Sequence, residues 1–345
     1  MQLAHQALFV PTYMKLYNTL LVSFDLTEMA LMTHPPAVRG LRETCQEIHD
    51  SQDRRLYHLV RSHPSQRLAI IQTYKQMYGE DLISNLITES KVPEDLCYGL
   101  TLWSSDPHVR DAIVAWQSLR SGMDCEVDYK ALVEIFVGRK SSHFLMIKQA
   151  YSARFGRNLE QDIINTEPPS PLQKILVALA ASHKAHHEDA SLHIARCDAK
   201  RLFEIGGGRL GGSVDEAIVL EIFSKRSIPQ LKLIFSCYRQ IYGHQYTKKN
   251  SGEFGDVLKM VIDCMCNAPR YYAKLLHTSI EGSSLKKSTV ARVVVSRADL
   301  DMGEVQRVYA EKYALTLLDS ISRRLPCGDF RDFIATLVSR TNVIA

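Results

Sequence analysis

Apolar residues recur along this chain at spacings of three and four, and four segments repeat one such arrangement. Phe144, Ile147, Tyr151 and Phe155 fall at that spacing, which gathers them on one face of a helix. Leu231, Ile234, Tyr238 and Tyr242 reproduce it. No convincing run of strand alternation breaks the pattern, so the prediction is an all-α protein. In each segment an arginine, often beside a serine, leads into an apolar stretch, a tyrosine, and an aromatic residue usually followed by glycine. The copies are Arg61-Ser62, Tyr74 and Tyr78-Gly79; Arg139, Ser141, Tyr151 and Phe155-Gly156; Arg226-Ser227, Tyr238 and Tyr242-Gly243; and Ser296-Arg297, Tyr309 and Tyr313. The marker tyrosines 74, 151, 238 and 309 lie 77, 87 and 71 residues apart. Internal repetition of this kind means that one helical unit is used several times. The tyrosines are expected in the core, as marks of a fold rather than of a site. Ser62-His63-Pro64 and Ser227-Ile228-Pro229 each predict a helix start, with serine as the cap and proline in the first turn. The polar stretch from Ser182 to Ser191 falls in the longest interval and reads as a solvated linker between two halves.

Composition narrows the class. Of 345 residues, 46% are apolar and 23% charged, enough for a substantial core. The net charge of +4 argues against bulk nucleic-acid binding and is compatible with anionic lipid headgroups. Eight cysteines are scattered without a CxxC pair or zinc-ligand spacing, so they are expected reduced and mostly buried, as in the cytoplasm. No apolar run reaches the roughly 18 residues of a membrane span. Residues 1–35 contain apolar clusters, but Lys15 is their only basic residue and no cleavage site follows. They are expected to be an N-terminal tail rather than a signal peptide, with Met29 or Met32 as the functional start.

Longer strings carry a resemblance. The run from Arg292 to Met302, then Tyr309 and Gly328-Asp329-Phe330-Arg331-Asp332-Phe333, resembles the fourth repeat of an annexin. Gln66-Arg67, Tyr74, Tyr78-Gly79-Glu80-Asp81-Leu82, Leu102-Trp103, Asp106-Pro107 and Arg110-Asp111-Ala112 resemble the first repeat of a plant annexin. The resemblance covers nearly everything after about residue 36. It implies four repeats of about five helices each, forming a curved disk, at 36–105, 106–183, 184–267 and 268–345. It also implies a cytoplasmic, noncatalytic protein that associates peripherally with membranes, including the plasma membrane. In the family, calcium bound in interhelical loops bridges the convex face to phospholipid.

The calcium chemistry is where this sequence departs from the family. A family loop has the form G-x-G, whose carbonyls ligate calcium, and a carboxylate about forty residues later completes the site. Calcium takes roughly six to eight oxygens, and glycines let a loop turn its carbonyls toward one point. In repeat I the loop position reads Glu47-Ile48-His49-Asp50-Ser51-Gln52, with Glu89 as the distant carboxylate. In repeat II it reads Ser121-Gly122-Met123-Asp124-Cys125-Glu126, with Glu167. Repeat III keeps glycines at 206–208 and 211–212, but its distant position falls near Lys249-Asn250. Repeat IV has Glu281-Gly282-Ser283-Ser284, with its distant position at Arg324-Leu325. Calcium sites are therefore expected to be weak or degenerate, with Glu89 and Glu167 as their remaining carboxylates. The basic pairs Lys248-Lys249, Lys286-Lys287 and Arg323-Arg324 are expected to meet an anionic phospholipid membrane surface directly, the chain itself being monomeric or weakly self-associating.

The resemblance further implies a central polar channel with charged pairs Asp111–Arg139 and Glu134–Arg292, for which ion pairs that set repeat packing are the favoured reading and cation conduction the alternative. Nucleotidase or peroxidase activity is the remaining alternative. The glycine-rich stretch 206–213 lacks the lysine and preceding strand of a phosphate loop, and no haem-ligand motif is present. His183, His186, His187, His193 and Cys197 lack four-ligand spacing and are expected to be solvated. Cys264 fits one position of a cysteine pair known in plant relatives, but Gly138 occupies the other.

Overall fold

The computed structural model describes residues 35–50, 59–89, 92–120, 128–166, 170–183, 190–205, 215–246 and 252–340, apart from the side chains of 35–39, 86–89 and 205. These residues form α-helices, and no strand occurs among them. The helices are α1 (Pro35–Asp50), α2 (Pro64–Tyr78), α3 (Leu82–Glu89), α4 (Glu94–Ser104), α5 (Pro107–Leu119), α6 (Tyr129–Gly138), α7 (Ser141–Phe155), α8 (Leu159–Ile164) and α9 (Pro171–Ser182). They continue with α10 (Leu192–Ile205), α11 (Glu216–Lys225), α12 (Ile228–Tyr242), α13 (Glu253–Cys266), α14 (Ala268–Ile280), α15 (Lys287–Arg297), α16 (Met302–Tyr313), α17 (Leu317–Arg324) and α18 (Asp329–Ser339). The chain divides into two compact units, one of residues 1–110 with 272–345 and one of residues 111–271.

One module recurs in both units. The marker tyrosines Tyr74, Tyr151, Tyr238 and Tyr309 are all buried, as the periodicity predicts. Each is followed four residues later by a ring that lies flat on a ring from the module's first helix. His49 stacks on Tyr78 at 3.9 Å, Trp116 on Phe155 at 4.4 Å, Phe203 on Tyr242 at 3.8 Å and His277 on Tyr313 at 3.6 Å. Ring pairs in contact contribute to stability beyond the area they bury. The helix that carries the tyrosine then stops in the same way each time. Gly79, Gly156 and Gly243 adopt φ of 73°, 64° and 72° and return their N–H to the preceding turn. In the fourth copy Ala314 holds the same cap at φ 51°. A Cβ in the left-handed region is strained. Ala314→Gly should therefore raise the stability of the first unit by about 0.5–1 kcal/mol, the relieved strain exceeding the entropy that glycine adds to the unfolded chain. Calorimetric melting checks this, and a lower Tm would contradict it.

Two sequence expectations change. Ser227 caps α12 through Gln230, as predicted, but α2 is capped at His63 rather than Ser62, because its proline stands one residue earlier in the helix. Ser182 and His183 are not solvated linker. The His183 ring stacks on Phe144 at 4.3 Å and its Nε2 lies 2.7 Å from the Phe136 carbonyl oxygen, so both residues belong to the core of the second unit.

The first unit also contains a buried cationic clamp. Trp103 on α4 donates its indole N–H to the Leu59 carbonyl at 2.9 Å. The Arg67 guanidinium lies 3.5 Å over its ring and that of Arg340 5.0 Å away. Asp299 accepts from Arg67 and pairs with Arg340, each at 3.4 Å. Beside this clamp α4 and α18 approach closely at Gly99, where a Cβ would come within 2.7 Å of the Phe333 ring.

Candidate functional site

The loop of the fourth module, residues 281–286 between α14 and α15, is described in full. Helix α14 is prolonged by Glu281, whose N–H donates to the His277 carbonyl at 2.8 Å. Gly282 then lets the chain turn. A Cβ there would stand 2.4 Å from the Thr278 carbonyl oxygen, so only glycine fits. The Lys286 N–H closes the loop on the Ser279 carbonyl at 2.9 Å.

Helix α17 supplies the other half of the site. It starts at the Thr316 cap, which accepts from the Asp319 N–H, and ends in Arg323 and Arg324, cations placed favourably at a helix C-terminus. Both arginines reach back over the loop. Arg323 Nη2 lies 2.7 Å from Glu281 Oε1. Arg324 Nε lies 3.5 Å from Glu281 Oε2 and donates to the Ile280 carbonyl at 3.3 Å. Arg324 Nη2 donates to the Gly282 carbonyl at 3.4 Å. Burial pushes the Glu281 carboxyl upward, but the hydrogen bond and charge of Arg323, with the charge of Arg324, outweigh it and hold the group below the ordinary carboxylate range.

This donor set does not fit calcium. The loop carbonyls that would converge on a metal face a guanidinium, the one carboxylate is ion-paired, and the distant position and its neighbour Arg323 supply two cations. The sequence placed Arg324-Leu325 at this position, with Arg323 beside it, but did not show the arginines turned back onto the loop. The neighbouring pair divides. Lys286 is exposed, whereas Lys287 Nζ lies 2.8 Å from Asp95 and 5.8 Å over the Phe330 ring, which ties it to α4 and α18.

The other predicted site residues are distributed differently. Glu167, Lys248 and Lys249, the loop positions 51–52, 121–126 and 206–212, and the Glu89 side chain lie outside the described residues. Asp111 and Arg139 are brought together, with Nε–Oδ2 and Nη2–Oδ1 distances of 2.5 and 3.0 Å, and His143 Nε2 lies 3.3 Å from the same carboxylate. The third module repeats this joint in Asp198 and Arg226, 2.7 Å apart. In the fourth the acid becomes Tyr272, and the Arg297 guanidinium lies 4.7 Å over its ring. Glu134 and Arg292 are both buried, one in each unit. Sequence reasoning missed Asp198 and the stacked rings of the first helices, although in each case the joint residue stands five positions before the ring.

His193 and Cys197 share an exposed face of α10, 3.8 Å apart, and no group of three metal-ligating side chains occurs among the described residues. Cys45, Cys97 and Cys237 are buried free thiols and Cys264 is likewise buried, while Cys197, Cys266 and Cys327 are exposed. Burial of the Cys45 and Cys97 thiols raises them to about 11, so they are unreactive at neutral pH. Among the described residues no helix is long and apolar enough to cross a membrane.

These features define a class of protein: tandem helical modules with a closed, cation-bearing interhelical loop. Annexin is the family whose sequence profile matches residues 114–179 and 271–342. Annexin D3 of Arabidopsis thaliana is 30% identical over 284 residues, covering 79% of this chain and 85% of that protein. Human Annexin A7 is 29% identical over 280 residues, and there the match spans 80% of this chain but only 55% of the relative. Among solved structures, annexin III superposes with a TM-score of 0.74 at 26% identity, covering 89% of this chain and 95% of that one. Calcium-bound annexin (Sm)1 has a TM-score of 0.71 at 20% identity, covering 86% and 90%, and shows the shared fold. The chain belongs to the annexin family.

Proposed function

We propose that this protein binds phospholipid surfaces peripherally, with a calcium dependence that is attenuated and partly replaced by basic side chains contacting anionic headgroups. Calcium-dependent phospholipid binding is the general property of annexins. The observation that carries the finer reading is the fourth-module loop, where Arg324 faces the carbonyls and Arg323 holds Glu281. Two guanidiniums against one carboxylate leave a net positive charge, and exposed Lys286 adds another. A basic side chain near an anionic bilayer contributes on the order of 1 kcal/mol, and salt screens it. Lys248 and Lys249 are proposed to act likewise, and Glu89 and Glu167 to serve low-affinity calcium sites in the first two modules. The repeats are proposed to run 36–105, 106–183, 184–267 and 268–345, with residues 1–35 as a tail. Recurrence of the Asp–Arg joint in a second module favours packing over conduction as the role of Asp111–Arg139, and Glu134 and Arg292 are read in the same way.

Vesicle pelleting in chelator tests the reading. The protein should sediment with acidic vesicles and not with neutral ones, and added salt should release it. Lys286→Glu should weaken chelator-resistant binding about thirtyfold, since a reversal counts roughly twice a neutralisation. Equal, negligible sedimentation with both vesicle types would sink the proposal.

A further inference from the structure

An annexin loop is organised by a metal ion, and the loop at 281–286 has a cation of its own. Three oxygens from consecutive residues face the Arg324 guanidinium: the Ile280 carbonyl at 3.3 Å, the Gly282 carbonyl at 3.4 Å and Glu281 Oε2 at 3.5 Å. Guanidinium keeps its charge at every pH at which the protein is folded, and its planar fork can span two acceptors at once. The position it comes from, 42 residues beyond Gly282 in the chain, is one of the two, Arg324-Leu325, that the family resemblance matches to the carboxylate completing a calcium site. A ligand has thus been exchanged for a counter-ion. The loop is built to receive it, because Gly282 is pressed against the Thr278 carbonyl and Glu281 is already neutralised by Arg323. A calcium ion entering here would meet two fixed positive charges and would have to expel one to reach oxygens at 2.3–2.6 Å.

We propose that Arg324 is the resident cation of this loop, holding it in its turned conformation without calcium and closing it to the metal. The proposal concerns the loop's own state, so it stands or falls separately from vesicle binding.

Hydrogen exchange on the full chain tests it, read on the peptide containing 281–286 in chelator and in millimolar calcium. Wild-type loop amides should be equally protected in both. Arg324→Gln, which leaves Arg323 on Glu281, should speed their exchange in chelator about tenfold or more, with peptides from the 111–271 unit unchanged as the folding control. Arg324→Lys keeps the charge but cannot fork between two carbonyls, and should lie nearer to Gln than to wild type. Calorimetric titration with calcium alone supplies a second readout. Arg324→Glu restores a carboxylate at the distant position and should bind one more calcium per chain than wild type. Calcium-induced protection of the wild-type loop would overturn the proposal. So would exchange in Arg324→Gln and Arg324→Lys that matches wild type, or an unchanged calcium stoichiometry in Arg324→Glu.

Discussion

Trp103→Ala should destabilise the unit of residues 1–110 and 272–345 by about 4 kcal/mol, the largest loss expected from any single truncation here. The indole is 1% exposed, so its removal opens a cavity that the surrounding helices fill only in part. Two further losses add to the cavity. The Leu59 carbonyl forfeits its donor, and the guanidiniums of Arg67 and Arg340 lose the ring face that offsets their burial. Burial lowers Arg67 to about 10, with the charge and hydrogen bond of Asp299 opposing that shift, and after the truncation Asp299 and the Ser62 carbonyl remain as its partners. Trp103→Phe keeps a ring face but not the N–H, and should lose about 1–2 kcal/mol. Urea unfolding followed by far-ultraviolet circular dichroism separates the two variants. A loss below about 1 kcal/mol for Trp103→Ala would show that the clamp closes without its central ring.

Asp111→Ala should destabilise the other unit by about 3 kcal/mol, because it leaves the Arg139 guanidinium, itself 11% exposed, without its bidentate partner. Much of that cost belongs to the stranded charge rather than to the pair. Removing both should therefore be milder than removing one. Asp111→Ala with Arg139→Met should recover at least half the loss, since a flexible apolar chain can fill the vacated space. Additive losses in the double-mutant cycle would refute the coupling.

The repeat was legible because its markers keep their identity. Four tyrosines at one helical position, each followed by an aromatic residue, need no structure to be seen. Their stacking partners were not legible because selection at that position preserves a flat ring rather than a residue type, and His49, Trp116, Phe203 and His277 share no letter code pattern. The joint five residues earlier is hidden for the same reason, with aspartate exchanged for Tyr272 against an unchanged arginine. His183 was misread because polarity was taken for exposure. An imidazole with a hydrogen-bond partner at each nitrogen, the Phe136 carbonyl and the Ser141 hydroxyl, and an aromatic ring on its face is as well placed in a core as a phenylalanine. At the fourth-module loop, the family resemblance placed Arg324-Leu325 where a carboxylate would complete the site, with Arg323 beside it. Spacing could not say whether a long side chain points outward or folds back onto its own loop, since that depends on the carbonyls of Ile280 and Gly282, which every sequence possesses.

The clamp around Trp103 has an optical consequence. The protein has two tryptophans, and they fall one to each compact unit, Trp103 in the first and Trp116 in the second. Their surroundings differ: the first indole is hydrogen-bonded and neighboured by the Arg67 and Arg340 guanidiniums, while the second is stacked on Phe155 with the Arg120 guanidinium 4.6 Å from its ring centroid. Each unit thus carries a single tryptophan, which can be excited selectively at long ultraviolet wavelengths despite the tyrosines. With Trp116→Phe, emission reports the first unit alone, and with Trp103→Phe the second, so the melting of the two halves can be followed separately in one chain without any attached dye.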